Sequence, residues 1–459
     1  MSKVIHLENF PISTPSSDCD GSQSSDKPTR DLAGPAFKPS LINPEHHPFN
    51  VNLSEQFSSL EERGYTLGDR LGKGGFGVVF EAERVVNPPD TISSVGDSEE
   101  PQPYVRRVAI KVLYPKFVVE KRDDIIERFR REYLVQGSLT PLTRFLEPIL
   151  DVGKITYAGV ETIGIVMPLE EDGSLANQQE VDEVERKFDA DQLFDISDML
   201  CAGLNEMHSR GMVHRDIKPA NIFVDLEHGG KNIREQQITG LRIGDFGLAK
   251  LIGGEDGNGV ELASKTMPPD VVDSIRGSVT DVGSVTGTPY YASPEQMRKF
   301  SSCPGDDMYS LGSLLYELRT GVFPGRVFHY NNIDETKSEE YRRIVDEERP
   351  DVQEGLHSVG RDTSDEPFDC VINTLIKRNI KDRLFVKSGV YVYPLLIPKD
   401  VPMEFKKSIG EHYDTLLEKY KDQIPKEIFM AIESGSTSAT LVRLSLAHIR
   451  KRYEQNMGI

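Results

Sequence analysis

The chain has 459 residues, enough for two lobes with appendages rather than one small domain. Its 54 Lys and Arg stand against 74 Asp and Glu, a formal net charge of −20 that argues against nucleic acid or an anionic membrane as main partner. Cys19, Cys201, Cys303 and Cys370 form no C-x-x-C pair or metal spacing, and neither a membrane span nor a signal-peptide core is visible, so a cytoplasmic protein is expected.

Residues 1–64 hold seven prolines and seven serines between Pro11 and Pro48. Such a stretch cannot offset its ordering entropy and predicts a flexible tail, with order beginning near Tyr65. From Tyr65 to about Met167 the chain reads mostly as strands, with Gly77–Ala82 and Val108–Leu113 short and β-branched. A helix is expected around Ile125–Gln136, and the polar run 87–103 reads as a mobile insertion. Helices dominate from Ala190 onward. Leu193, Ile196, Leu200, Leu204 and Met207 keep helical spacing before a capping Gly211, and Met308, Leu311, Leu315 and Leu318 do so before Gly321. Between them, Gly253–Gly287 reads as a second mobile loop, rich in Gly, Ser, Thr and Asp. Residues 387–459 repeat the helical signal through Phe405, Ile409, Tyr413, Leu416, Tyr420 and Ile424, then Val442, Leu446, Ile449 and Tyr453. A helical extension packed on the rest is expected there. Strands followed by helices predict an α+β arrangement in two lobes.

Four motifs carry chemistry. Gly72-Lys73-Gly74-Gly75-Phe76-Gly77-Val78-Val79 has the form G-x-G-x-x-G-x-V, whose glycines let backbone N–H groups approach phosphate oxygens. A strand follows it where a dinucleotide fold would have a helix. One strand later comes Val108-Ala109-Ile110-Lys111. A lysine in so apolar a strand needs an anionic partner, and Lys111 is read as holding the α- and β-phosphates. Its counter-charge is expected from the next helix, at Glu132, with Glu127 as the alternative. His214-Arg215-Asp216-Ile217-Lys218-Pro219-Ala220-Asn221 is the strongest signal. Asp216 can orient an incoming hydroxyl and accept its proton, Lys218 can neutralise γ-phosphate charge, and Asn221 can bind a metal ion. In Asp245-Phe246-Gly247, Asp245 can bind Mg²⁺ bridging the β- and γ-phosphates.

In this order, from roughly Tyr65 to Val386, the chain resembles the eukaryotic-like serine/threonine protein kinases. The resemblance implies the bilobal kinase fold, with a strand-rich N-lobe and hinge over 65–170, a helical C-lobe over 171–386, and a long activation segment over 245–295. It implies transfer of the γ-phosphoryl group of ATP to protein Ser or Thr hydroxyls, including the chain's own, with Mg²⁺ or alternatively Mn²⁺. Leu71, Gly72, Gly74, Gly77, Val79, Ala109, Lys111, Met167, Pro168, Glu170 and Phe223 would hold ATP. Met167 would stand at the back wall, the Pro168 carbonyl and Glu170 N–H would meet the adenine edge, and Leu71, Val79, Ala109 and Phe223 would sandwich the base. Thr288 would hydrogen-bond near Asp216 and Lys218. Ser293-Pro294-Glu295 replaces the usual A-P-E and leaves Glu295 to pair with a buried Arg383, while Asp307 would brace the catalytic loop. Gln136 stands where the family packs an apolar residue against the phenylalanine of D-F-G. Arg215 beside Asp216 suggests phosphorylation control through Ser274, Ser278, Thr280, Ser284 or Thr286, with Thr280 favoured. A catalytically silent relative would have lost the strand lysine or one of the two aspartates. A small-molecule kinase would lack the peptide-docking form of Gly287–Glu295.

Overall fold

The computed structural model describes residues 58–86, 104–139, 143–179, 188, 190–227, 237–253, 259–276, 291–298, 300–321, 367–377 and 379–457. The expected insertion at 87–103 lies outside them.

Strands β1 (Tyr65–Lys73), β2 (Gly77–Val86), β3 (Tyr104–Leu113), β4 (Asp151–Tyr157) and β5 (Val160–Pro168) form one antiparallel sheet in the order β1-β2-β3-β5-β4. The period of two in β3 sends Val108, Ile110 and Val112 into a core shared with Val78, Ala82, Ile155 and Val166. Ala109 and Lys111 take the opposite face, toward the cleft below. The residues just before Tyr65 pack with the sheet. Leu60 is fully buried in the same core and its N–H donates to the Lys154 carbonyl at 2.7 Å, so the expected tail of 1–64 takes in residues that belong to the fold.

After the short α1 (Pro115–Val119), helix α2 (Asp123–Leu139) opens on Asp123 and Asp124, whose charge suits its N-terminal dipole. It buries Ile125, Phe129, Tyr133 and Val135 against the sheet. The chain then crosses through β4, β5 and α3 (Leu175–Gln179) to α4 (Ala190–Ser209). All five apolar positions read from its spacing are fully buried, and Gly211 follows with φ +78°, a conformation that favours glycine. Two small ribbons come next: β6 (Met212–Val213) with β9 (Lys250–Leu251), and β7 (Ile222–Leu226) with β8 (Ile238–Ile243). They present the loops 214–221 and 244–249 to the underside of the sheet.

The segment after β9 is not merely a polar loop. It contains α5 (Gly259–Thr266) and α6 (Pro269–Arg276), which bury Ala263, Val271 and Val272, with Met267 buried between them, and α6 packs against α2. Few apolar residues suffice because each helix has only about two turns to cover. After α7 (Pro294–Met297), α8 (Pro304–Thr320) starts at a capping box in which the Asp306 carboxylate accepts from Cys303 N–H at 3.2 Å. It ends at Gly321 in the left-handed conformation.

Helix α9 (Pro367–Leu375) leads to a hairpin, β10 (Phe385–Ser388) with β11 (Tyr391–Pro394). The expected boundary at 386/387 therefore cuts a strand, and the terminal part is not purely helical. Helices α10 (Lys406–Tyr420), α11 (Lys426–Glu433) and α12 (Ser438–Met457) complete the described fold. α12 lies along α4 and buries Ala439, Leu441, Val442, Leu446 and Ile449 in the same core as the rest of the lower lobe. Thr437 and Thr440 donate to Asn205 Oδ1 at 2.8 and 2.9 Å, and Arg443 and Arg450 pair with Asp198 and Asp195. Among the described residues no helix is long and apolar enough to cross a membrane.

Candidate active site

The upper wall of the cleft is the turn between β1 and β2. A Cβ at Gly72 or Gly75 would meet nothing within 4 Å, and at Gly74 only the Gly77 carbonyl at 4.0 Å. That open space suits a bulky anion against bare backbone. Gly77 is required for a different reason: a Cβ there would strike the Val112 carbonyl of β3.

Below the turn, Lys111 Nζ on β3 pairs with the Glu132 carboxylate on α2 and approaches Asp245 Oδ1 at 3.3 Å. Glu127, the alternative partner, instead pairs with Arg130 at 3.3 Å. Burial by itself would lower the lysine's pKa, but Asp245 and Glu132 together raise it, so Lys111 stays charged. The ammonium in turn lowers Asp245 to about 2. Gln136 lies on the same helix, where the resemblance led to an apolar residue. It is buried and donates Nε2 to the Glu147 carbonyl at 2.9 Å, tying the helix to the strand-side chain where an apolar residue would only pack. Phe246 is buried with its ring edge-on to His214, centroids 5.2 Å apart.

The lower wall hangs on one carboxylate. Asp307, fully buried on α8, accepts from His214 N–H at 2.9 Å, Arg215 N–H at 2.7 Å and His208 Nε2 at 2.8 Å. Burial would raise its pKa, yet the His208 bond and its neighbours lower it, so it remains an acceptor. These bonds hold Arg215 at φ +71°, a strained conformation for a residue with a Cβ. Asp216 follows, with Oδ2 accepting from Lys218 Nζ at 2.8 Å and Asn221 Nδ2 at 3.0 Å. The Asn221 amide nitrogen also donates to the Asp216 carbonyl at 2.8 Å, which commits it inward and leaves the amide oxygen for another ligand. An ionised Asp245 and that amide oxygen are both oxygen donors, a set that fits a hard divalent cation.

The glycine turn, Lys111, Glu132, Asp216, Lys218, Asn221 and Asp245 line one cavity of ≈ 540 Å³, together with Val79, Met167, Ala220 and Phe223. Leu71 departs from expectation: it is half exposed and does not line the cavity. Ala109, Pro168 and Glu170 are likewise absent from its wall. The Glu170 carboxylate turns away to Arg242, at 3.0 and 2.5 Å, and Arg242 also grips Asp225. Arg128 and Glu147 are among the wall residues that had no role in the sequence reasoning. Arg128 stacks over Phe76 at 4.4 Å and donates to the Gly247 carbonyl at 3.3 Å, linking α2, the glycine turn and the loop after Asp245. Glu147 is a buried carboxyl in the inner wall, and its only sequence signal was a lone charge within Phe145-Leu146-Glu147-Pro148-Ile149-Leu150.

Glu295 and Arg383 meet in the lower lobe as a buried pair, Nη2 lying 2.6 and 2.5 Å from the two carboxylate oxygens. Ser293 does more than replace an alanine. Its hydroxyl accepts from Gln296 N–H at 2.9 Å as the cap of α7 and donates to Asp306 Oδ1 at 2.5 Å. The expected sites at Ser278, Thr280, Ser284, Thr286 and Thr288 lie outside the described residues, as does the side chain of Ser274.

Residues 101–391 match the family model described as protein kinase domain. The glycine turn falls before the matched span. A probable serine/threonine-protein kinase of Corynebacterium efficiens is 27% identical over 260 residues, covering 57% of this chain and 31% of that protein. Serine/threonine-protein kinase PknK of Mycobacterium bovis is 26% identical over 365 residues, covering 77% of this chain and 27% of the relative. A probable serine/threonine-protein kinase PknB of Corynebacterium glutamicum is 28% identical over 260 residues, with coverage of 57% and 32%. The chain thus spans about a third or less of the length of these relatives. With the matched model reaching over more than half of its length, the chain belongs to the protein kinase domain family.

Proposed function

We propose that the protein is an ATP- and Mg²⁺-dependent serine/threonine kinase that phosphorylates proteins, itself included. The observation that carries this is the meeting of Lys111, paired with Glu132 and 3.3 Å from Asp245, with Asp216, Lys218 and Asn221 around one cavity. Bound ATP supplies the activated phosphoryl group, and Mg²⁺ supplies counter-charge to its phosphates. Lys111 holds the phosphates against the open glycine backbone. Asn221 and Asp245 hold the metal. Asp216, its Oδ2 fixed by Lys218 and Asn221, orients the acceptor hydroxyl and takes its proton, and Lys218 offsets negative charge beside it. Catalysis on this plan is positioning and electrostatics rather than covalent chemistry.

Arg215 next to Asp216 supports control by phosphorylation within 274–286, with Thr280 as the favoured site, and Thr288 as a substrate-loop contact. Free Cys201 and Cys303 are buried, and burial pushes the Cys201 thiol to about 12, inert chemistry that suits the reducing cytoplasm. The test is intact mass after incubation with ATP and Mg²⁺, beside Asp216→Asn. Steps of about 80 Da in the wild type alone are expected, the mass of an added phosphoryl group. Equal transfer by Asp216→Asn, or none by the wild type to itself or to a serine/threonine peptide library, would sink the proposal.

A further inference from the structure

Glu147 belongs to no part of the phosphate or hydroxyl machinery, yet it is a buried carboxyl, 3% exposed, in the wall of the nucleotide cavity. Its backbone is fixed by Glu147 N–H to the Ile243 carbonyl at 2.9 Å, and by the Gln136 amide on its own carbonyl at 2.9 Å. The side chain lies over Gly244. A Cβ at 244 would collide with Glu147 Oε2 and come within 2.6 Å of the Phe223 ring, so the absent side chain is what makes room for the carboxyl. Among the described residues no hydrogen-bond donor reaches its oxygens. The two nearby cations are already matched: Lys111 by Glu132 and Asp245, Arg242 by Glu170 and Asp225. A further carboxylate here has no cation of its own, and burial with the neighbouring Glu170 raises its pKa well above the usual range. Buried without a cation of its own, it favours the neutral acid.

A neutral carboxyl presents an O–H donor beside a C=O acceptor. Adenine offers the complement on one edge, an N7 acceptor beside the N6 amino donor, whereas guanine shows two acceptors there. Met167, expected at the back wall of the base pocket, lines the same cavity as Glu147, so the carboxyl borders the space that the base would enter. We propose that Glu147 is a specificity-determining residue that reads the N6/N7 edge of adenine. This rests on the nucleotide site proposed above and adds the base selectivity that the motifs do not encode.

The experiment is calorimetric titration with ADP and with 7-deaza-ADP, in which carbon replaces N7, so that no turnover intervenes. The wild type should bind 7-deaza-ADP about three- to tenfold more weakly, the range of one hydrogen bond. Glu147→Gln should keep that ratio, because a carboxamide offers the same donor–acceptor pair. Glu147→Leu should bring the ratio to about one, a change that a merely structural role would not produce. Equal binding of both nucleotides by the wild type, or a ratio unchanged in Glu147→Leu, overturns the assignment while leaving the nucleotide site intact. No binding of ADP at all would overturn both.

Discussion

Replacing Ser293 by alanine removes two bonds with one hydroxyl, and the loss should depend on pH. As the α7 cap it accepts from Gln296 N–H at 2.9 Å, and such a cap contributes about 1 kcal/mol. As a donor it serves Asp306 Oδ1 at 2.5 Å, inside a site where Asp306 is 2% exposed. Burial raises that carboxyl's pKa from 3.8 to about 6, with Ser293 opposing the rise. Because the folded pKa is raised, the group's contribution to stability is full below about pH 4 and is lost as pH climbs through about 6. Ionising Asp306 in the fold already costs about 3 kcal/mol, from roughly two pKa units at 1.36 kcal/mol each. Without Ser293 the carboxylate loses a charge-assisted bond, about 1.5–3 kcal/mol. Ser293→Ala should therefore cost about 1 kcal/mol at pH 5, where the acid is largely neutral, and about 2.5–4 kcal/mol at pH 8. Urea denaturation of both proteins at the two pH values measures this directly. A difference that is equal at pH 5 and 8, or below 1 kcal/mol at both, would refute the coupling of the hydroxyl to Asp306.

Arg383→Met should destabilise by about 3–5 kcal/mol because it strands Glu295 in the core, and the double variant Glu295→Gln/Arg383→Met should recover much of that in the same assay. Leu441→Ala, at a fully buried position of α12, should cost about 2–5 kcal/mol, whereas Arg443→Ala, whose pair with Asp198 is nearly half exposed, should cost under about 1 kcal/mol; thermal melts separate the two. Glu147→Gln should flatten the fall of stability with rising pH. The raised Glu147 pKa means the fold weakens as pH rises through it, with Lys111 and Arg242 opposing and Glu170 and Asp245 reinforcing the shift.

The groups proposed for catalysis could be grouped from the sequence because the expected chemistry demands fixed spacing along short loops. Asp216, Lys218 and Asn221 can share one carboxylate oxygen only if a tight turn separates them, and the 3₁₀ turn Pro219–Asn221 is that turn. Lys111 and Glu132 were legible as a pair because an apolar strand cannot hold an unmatched ammonium. What stayed hidden depends on contacts between distant residues. Ser293 looked like a small-for-small change because its partner, Asp306, lies 13 residues away on another helix. The helices α5 and α6 sit in a stretch whose Gly, Ser and Asp content reads as loop, and only the packing of α6 on α2 shows that Val271 and Val272 face inward. The β10–β11 hairpin was masked by its neighbours' helical spacing. Glu147 stood alone in an apolar run, a local conflict of the kind that marks a functional position.

Charge accounting joins the site to its expected ligands. Lys111 is shared by Glu132 and Asp245, and Lys218 is held by Asp216, so these two ammonium groups are already committed to carboxylates. Bringing in a polyphosphate adds several negative charges beside those carboxylates. Repulsion from Asp245, ionised with a pKa of about 2, would oppose it most. A divalent cation arriving with the nucleotide converts that repulsive carboxylate into a ligand. The same constraint favours the neutral form of Glu147, since a further fixed charge would have to be desolvated without a counter-ion of its own. On the proposed reading, the inner wall would carry hydrogen-bonding information about the base, while Asn221 and Asp245 would hold a metal beside the phosphates.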